Sequence, residues 1–237
     1  MTLAAAGATT GDFVTGAIAA IARLIREQDL KPGDRLPAEA VLSRDLQVSR
    51  TVVREALRSL AALKLVELGA GKRPTVAELD DDAFGLMIEH GVVTDQIDIL
   101  QIYDARRTIE ARTATLAALR RTESQANAIM AHARAMSENF MAPERVMEHD
   151  LAFHLEIARA SHNTVFVLII GAFQGAIRQT WPIGWKTRAS DDDRRSMNTL
   201  HLHLAEAIAA GEPDGAAQLM DKHFETSLKA LFAAGLV

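Results

Sequence analysis

Only three residues, Gln47-Val48-Ser49, separate two stretches of helical apolar period, and a connection that short forces the two helices to meet at a tight turn. The first stretch, residues 37–46, sets Val41, Leu42 and Leu46 on one face and has Pro37 at an early helical position. The second, residues 50–63, has Ser49 as its N-cap and turns Val53, Leu57 and Leu60 inward. Ahead of them, Phe13, Ala17, Ile21, Leu24 and Ile25 predict a helix over residues 12–28, which Leu30-Lys31-Pro32-Gly33-Asp34 ends. Behind them, residues 65–68, a Gly-rich segment 69–74 and residues 75–77 predict strand, turn and strand. Helix, helix, tight turn, helix and hairpin is the order of a winged helix-turn-helix.

Past Asp80-Asp81-Asp82 the period is helical almost throughout. It predicts helices at about 82–90, 95–119, 122–140, 144–160, 163–181, 192–210 and 214–234, with breaks that include Gly91, Pro182-Ile183-Gly184 and Gly211-Glu212-Pro213. Hydrophobic residues make up 49% of the chain and aromatics only 5%, with Ala and Leu dominant, which favours packed helices over strand sandwiches. The expected fold is mainly α: a winged helix-turn-helix over residues 1–78, then an all-helical antiparallel bundle of about seven helices over residues 79–237. The absence of cysteine excludes disulfides, thiolate metal sites and cysteine nucleophiles. No apolar run approaches the roughly 20 residues that span a bilayer, and the start lacks a charged segment before its short apolar stretch, so a cytoplasmic protein without a membrane partner is expected.

The net charge of −5 hides an asymmetry: residues 1–78 hold 11 Lys and Arg against 9 Asp and Glu, a net of +2, and the remainder carries −7. The basic share is concentrated. Arg50, Arg54 and Arg58 are spaced i, i+4, i+8 on the helix after the tight turn and form one stripe opposite its apolar face. Such a stripe suits the major groove, where Arg takes guanine O6 and N7 bidentately while other side chains hold phosphates. Thr51 lies beside it, and Arg35, Arg44 and Ser49 are further candidate contacts to double-stranded DNA. A P-loop reading of Gly69-Ala70-Gly71-Lys72 fails, because Val66 and Arg73 stand where Gly and Ser or Thr are needed.

In the second segment, Asp150 and His154 are i, i+4 on one expected helix and can point at one atom. His201 lies ten residues before Gly211 and His223 ten residues after Pro213, so a helical hairpin turning there brings them to matching height. Three imidazoles and one carboxylate suit a divalent ion such as Zn, Ni or Mn with positions left open. The competing reading is of capped or merely polar histidines. His203 points away from His201, and His90, His132, His149 and His162 have no matched spacing and are read as surface or capping residues.

The run Leu30-Lys31-Pro32-Gly33-Asp34-Arg35-Leu36-Pro37-Ala38-Glu39, followed by Leu46-Gln47-Val48-Ser49-Arg50-Thr51-Val52-Val53-Arg54-Glu55-Ala56-Leu57, resembles the signature of GntR-family transcription regulators, densely over residues 13–77. The resemblance implies a homodimer on an inverted-repeat operator, with Arg50 and Arg54 reading bases and the wing tip, Gly71 and Lys72, near the minor groove. Ala40 and Ala70 depart from the family's fatty-acid-responsive founding member, so its operator does not carry over. Asp150-Leu151-Ala152-Phe153-His154, Ser161-His162-Asn163 and the segment His201 to His223 resemble the ligand-binding domain of the FadR-type subfamily. That likeness implies metal ligation by Asp150, His154, His201 and His223, with a carboxylate effector, here a sugar acid or hydroxy acid, completing the coordination. Arg106 matches the subfamily's cavity arginine, an alternative to a simple i, i+4 pair with Glu110, and Asn163 matches a position near the cavity. Tyr103, Trp181 and Trp185 are core residues or cavity walls. The expected function is a metabolite-responsive repressor and not an enzyme; the alternatives are a metal-dependent enzyme fused to a DNA-binding module and a metal-sensing repressor.

Overall fold

The computed structural model describes residues 9–188 and 190–235. The chain divides between Ala83 and Phe84 into two units, each with its own apolar core.

The first unit opens with α1 (Thr10–Glu27), where Thr9 and Asp12 form a reciprocal capping box, so the helix starts two residues before the expected position. Next comes α2 (Glu39–Leu46), and here the expectation of a helix from Pro37 is corrected. Leu36 N–H donates to Pro74 O and Arg35 bridges Thr75, so the segment before Ala38 is extended and held by the hairpin. The tight turn is closed by Gln47 in the left-handed region, φ 55°, and by Ser43 Oγ donating to Val48 O. Ser49 then caps α3 (Arg50–Ala62) by accepting from Val52 N–H. The hairpin is β1 (Val66–Glu67) paired antiparallel with β2 (Thr75–Val76), with Val66 opposite Val76. Arg73 donates twice to Leu36 O and ties the hairpin down. Ile21, Leu36, Leu42, Val53, Leu57 and Val66 meet in the core.

The second unit holds seven helices among the described residues: α4 (Asp82–Val93, continuing past Phe84 into it), α5 (Ile99–Arg120), α6 (Glu123–Glu138), α7 (Pro143–Ala160), α8 (Thr164–Thr187), α9 (Asp191–Ala210) and α10 (Pro213–Ala233). Helix α5 packs on α7 and α10, α6 on α7 and α9, and α7 on α8. Gly211, at φ 76°, caps α9, and Pro213 starts α10, so the two form the hairpin read from the sequence. Two expected breaks are not breaks. Helix α4 runs through Gly91, where a side chain would strike Ile97, and α8 runs through Pro182. Proline removes one helical hydrogen bond, but Trp185, one turn on, is buried in the core and stacks on Trp181 at 5.1 Å, which holds the last turn in register. No helix among the described residues is long and apolar enough to cross a membrane.

Candidate functional site

Helix α7 presents Asp150 and His154 one turn apart, α9 presents His201 and α10 presents His223, all four side chains buried. One ligand atom from each lies within 4.8 Å of every other. Ligand atoms about 2.1 Å from a shared ion stand roughly 3–4 Å apart, so the set needs only small adjustment to hold one. The imidazoles crowd, with ring centres of His223 4.8 Å from His154 and 4.6 Å from His201. His154 Nε2, His201 Nε2 and His223 Nδ1 are buried without a hydrogen-bond partner. Buried polar atoms are rarely left so, and partnerless nitrogens on three imidazoles grouped with a carboxylate fit a cation.

The His201 ring is held in place from both sides. Its Nδ1 lies 3.0 Å from Met197 O, which can only accept, so Nδ1 carries a proton and Nε2 is the nitrogen turned to the site. Nε2 stands 3.0 Å from Asp150 Oδ1, a separation suited to a shared proton or to a metal ion bound by both. Burial by itself would raise the Asp150 carboxyl, yet His201, His154 and His223 hold it well below the usual carboxylate range. Burial, with His201 and His154 nearby, pushes His223 well below the usual histidine value and keeps it neutral, the form in which an imidazole can bind a cation.

Behind the ligands stands a pair absent from the expected ligand set. Arg106 Nε donates to Glu110 Oε1 at 2.6 Å, both buried on α5, and Glu110 Oε2 lies against His154 Nδ1, in contact though off the line of a hydrogen bond. Burial pushes Glu110 up, and Arg106 and His154 pull it below its ordinary value, so it is ionised. Arg106 pairs with Glu110 and also lines a cavity of about 40 Å3 beside Asp150, His201 and His223. Glu110→Gln keeps the shape but removes the charge opposite a buried guanidinium; a loss of about 1–3 kcal/mol is expected in urea denaturation of the metal-free protein. An unchanged midpoint would show that Arg106 is neutralised by another group.

Tyr103, Trp181 and Trp185 line the cavity and also pack on the core, and Arg188 and Asn198 join them there. Asn163 is not brought to it. Its Oδ1 accepts from Val165 N–H and caps α8, a local bond that fixes the side chain at the helix start, so its expected place by the cavity is corrected. His132 and His149 are also corrected: they face each other across α6 and α7, Nδ1 to Nδ1 at 3.2 Å, half-buried. His203 is exposed, as its spacing from His201 requires.

In the first unit Arg35, Arg44, Ser49, Arg50, Thr51, Arg54, Arg58, Gly71 and Lys72 are all exposed. Arg54 is engaged in a fork with Glu39, Nε and Nη2 on one carboxylate with Nη2 at 2.8 Å, while Arg58 pairs with Glu55 and Arg44 with Asp45. Gly71, at φ 67°, takes a conformation that other residues seldom adopt and lets the hairpin tip turn next to Lys72.

Residues 101–226 match the FCD domain and residues 14–76 the bacterial regulatory proteins of the gntR family. The chain belongs to the GntR family. LutR, an HTH-type transcriptional regulator of Bacillus subtilis strain 168, is 28% identical over 207 residues, which cover 84% of this chain and 92% of LutR. The galactonate operon transcriptional repressor of Escherichia coli strain K12 is 29% identical over 190 residues, 78% of this chain and 80% of that repressor. Streptococcus agalactiae GntR has the same fold, with a TM-score of 0.67 at 23% identity, covering 90% of this chain and 97% of that one. A GntR-family chain with an FCD domain is a transcription regulator, not an enzyme.

Proposed function

We propose that this regulator is a repressor whose first unit, essentially residues 1–78, binds an inverted-repeat operator as a homodimer through Arg50 and Arg54, and whose second unit senses a small carboxylate at a metal ion. Asp150, His154, His201 and His223 hold the ion, which supplies a fixed positive charge for the effector's carboxylate. The observation that carries the reading is the convergence of three partnerless buried imidazole nitrogens on Asp150 beside a cavity. By the same measure a water needs about 10–15 Å3, so 40 Å3 favours a short acid over a long acyl chain. The galactonate operon repressor among its relatives makes a sugar acid or related hydroxy acid the first class to screen. Arg106 faces the same cavity and orients the bound acid, while Glu110 keeps His154 turned toward the ion. Effector and operator are coupled reciprocally, so an acid that prefers the non-binding arrangement releases DNA.

The test is selection of operator sequences from a random DNA pool, followed by a mobility-shift assay with zinc-loaded and chelator-treated protein. Selected sequences should read as inverted repeats, and small hydroxy acids should release them only from the zinc-loaded form. Release by zinc with no acid present would make the ion itself the signal. Release by acids from the chelated form would remove the ion from the effector site.

A further inference from the structure

Arg188 is the one cavity-lining guanidinium that no carboxylate among the described residues neutralises. It stands at the end of α8, half-buried, with Nη1 donating to Gly184 O at 3.0 Å. No ion pair forms between it and any described residue, whereas Arg106, which lines the same cavity, is paired through Nε with Glu110. Burial lowers the Arg188 pKa, and Asp150 is the carboxylate that acts most strongly on it. Asp150, however, is committed to the three imidazoles, and Asp193, which acts more weakly, is spent capping α9 through Ser190. A partly desolvated guanidinium without a counter-charge favours an anion beside it.

A guest with a single carboxylate at the ion leaves Arg188 as it stands, whereas a guest with two anionic groups supplies a counter-charge to Arg188 as well.

We propose that Arg188 receives a second carboxylate, so that the preferred effector is a small dicarboxylate with one end at the ion and the other at Arg188. This rests on the carboxylate reading of the metal site and narrows it. Helix continuity through Pro182 is what makes it possible: Trp181, Gly184, Trp185 and Arg188 then fall at i, i+3, i+4 and i+7 and line the cavity as one face. Arg106 remains the residue that orients the first carboxylate, and Arg188, bordering solvent, reads the length of the acid and its far charge.

The test compares L-malate with L-lactate, in which the second carboxylate is the deciding difference, by calorimetric titration of zinc-loaded full-length protein. Wild type should bind malate at least tenfold more tightly than lactate. Arg188→Gln should bring malate to the level of lactate, leave lactate within about threefold, and keep zinc content unchanged; Arg188→Lys, which retains the charge, should restore part of the preference. A malate preference that survives in Arg188→Gln overturns the assignment while leaving the metal site standing, and so does equal binding of the two acids by wild type. Binding of neither acid by zinc-loaded wild type would overturn the carboxylate reading itself, and this inference with it.

Discussion

Arg54→Ala is expected to abolish retardation of a selected operator at protein concentrations that shift it completely for wild type. Arg54 sits mid-way along the α3 stripe, exposed, between Arg50 and Arg58. A bidentate arginine contact to guanine discriminates by roughly ten- to a hundredfold, and a dimer on an inverted repeat loses it twice, so a loss of about 100- to 10,000-fold follows. The free protein already shows the geometry required, since the Arg54 fork grips the Glu39 carboxylate through Nε and Nη2. Glu39 therefore presets the guanidinium as a planar donor, and a base edge must displace it. In Arg54→Ala that carboxylate is left unopposed on the surface proposed to face DNA, which adds repulsion to the lost contact. Metal content should be untouched, because the four proposed ligands belong to the second unit with its separate core. Retained sequence-specific retardation would remove α3 from the groove.

What the sequence disclosed, and what it hid, divides along one physical line. Spacing along a helix fixes which residues share a face, and a tight turn transfers that register to the next helix. Gln47-Val48-Ser49 did so for α2 and α3, and Gly211-Glu212-Pro213 did so for His201 and His223, which the structure brings together. Glu110 was legible as a neighbour of Arg106 but not as a neighbour of His154, because the chain between α5 and α7 is long and sets no register. The facing of His132 and His149 across α6 and α7 was hidden in the same way. Arg188 was hidden by punctuation: Pro182 reads as a stop, and only the packing of Trp185 into the core carries the helix past it. Asn163 shows the opposite error, in which a residue placed by likeness is held by the local need to cap α8. Long-range burial overrides local signals in the first cases, and local hydrogen bonding decides the last.

His201→Ala is expected to lower bound metal to well below one ion per chain, measured by elemental mass spectrometry after dialysis against metal-free buffer. His201 is the proposed ligand whose orientation is best fixed, since its Nδ1 is tied to Met197 O and its Nε2 faces Asp150. Loss of an outer partner of a ligand typically weakens metal binding ten- to a hundredfold, and loss of a ligand itself should exceed that. An ion held by the four proposed ligands would also stabilise the folded chain. A ligand at a hundred times its dissociation constant stabilises by about 2.7 kcal/mol, so chelator should lower the unfolding temperature of wild type and leave that of His201→Ala unmoved. The alanine removes a buried imidazole from between Phe153 and His223, so part of any destabilisation reflects lost packing and would persist in chelator. Insensitivity to chelator separates the two effects: packing loss shifts both curves equally, whereas ligand loss abolishes the difference between them. Full occupancy in His201→Ala, with the chelator response retained, would take His201 out of the ligand set and leave Asp150, His154 and His223 to hold the ion with water.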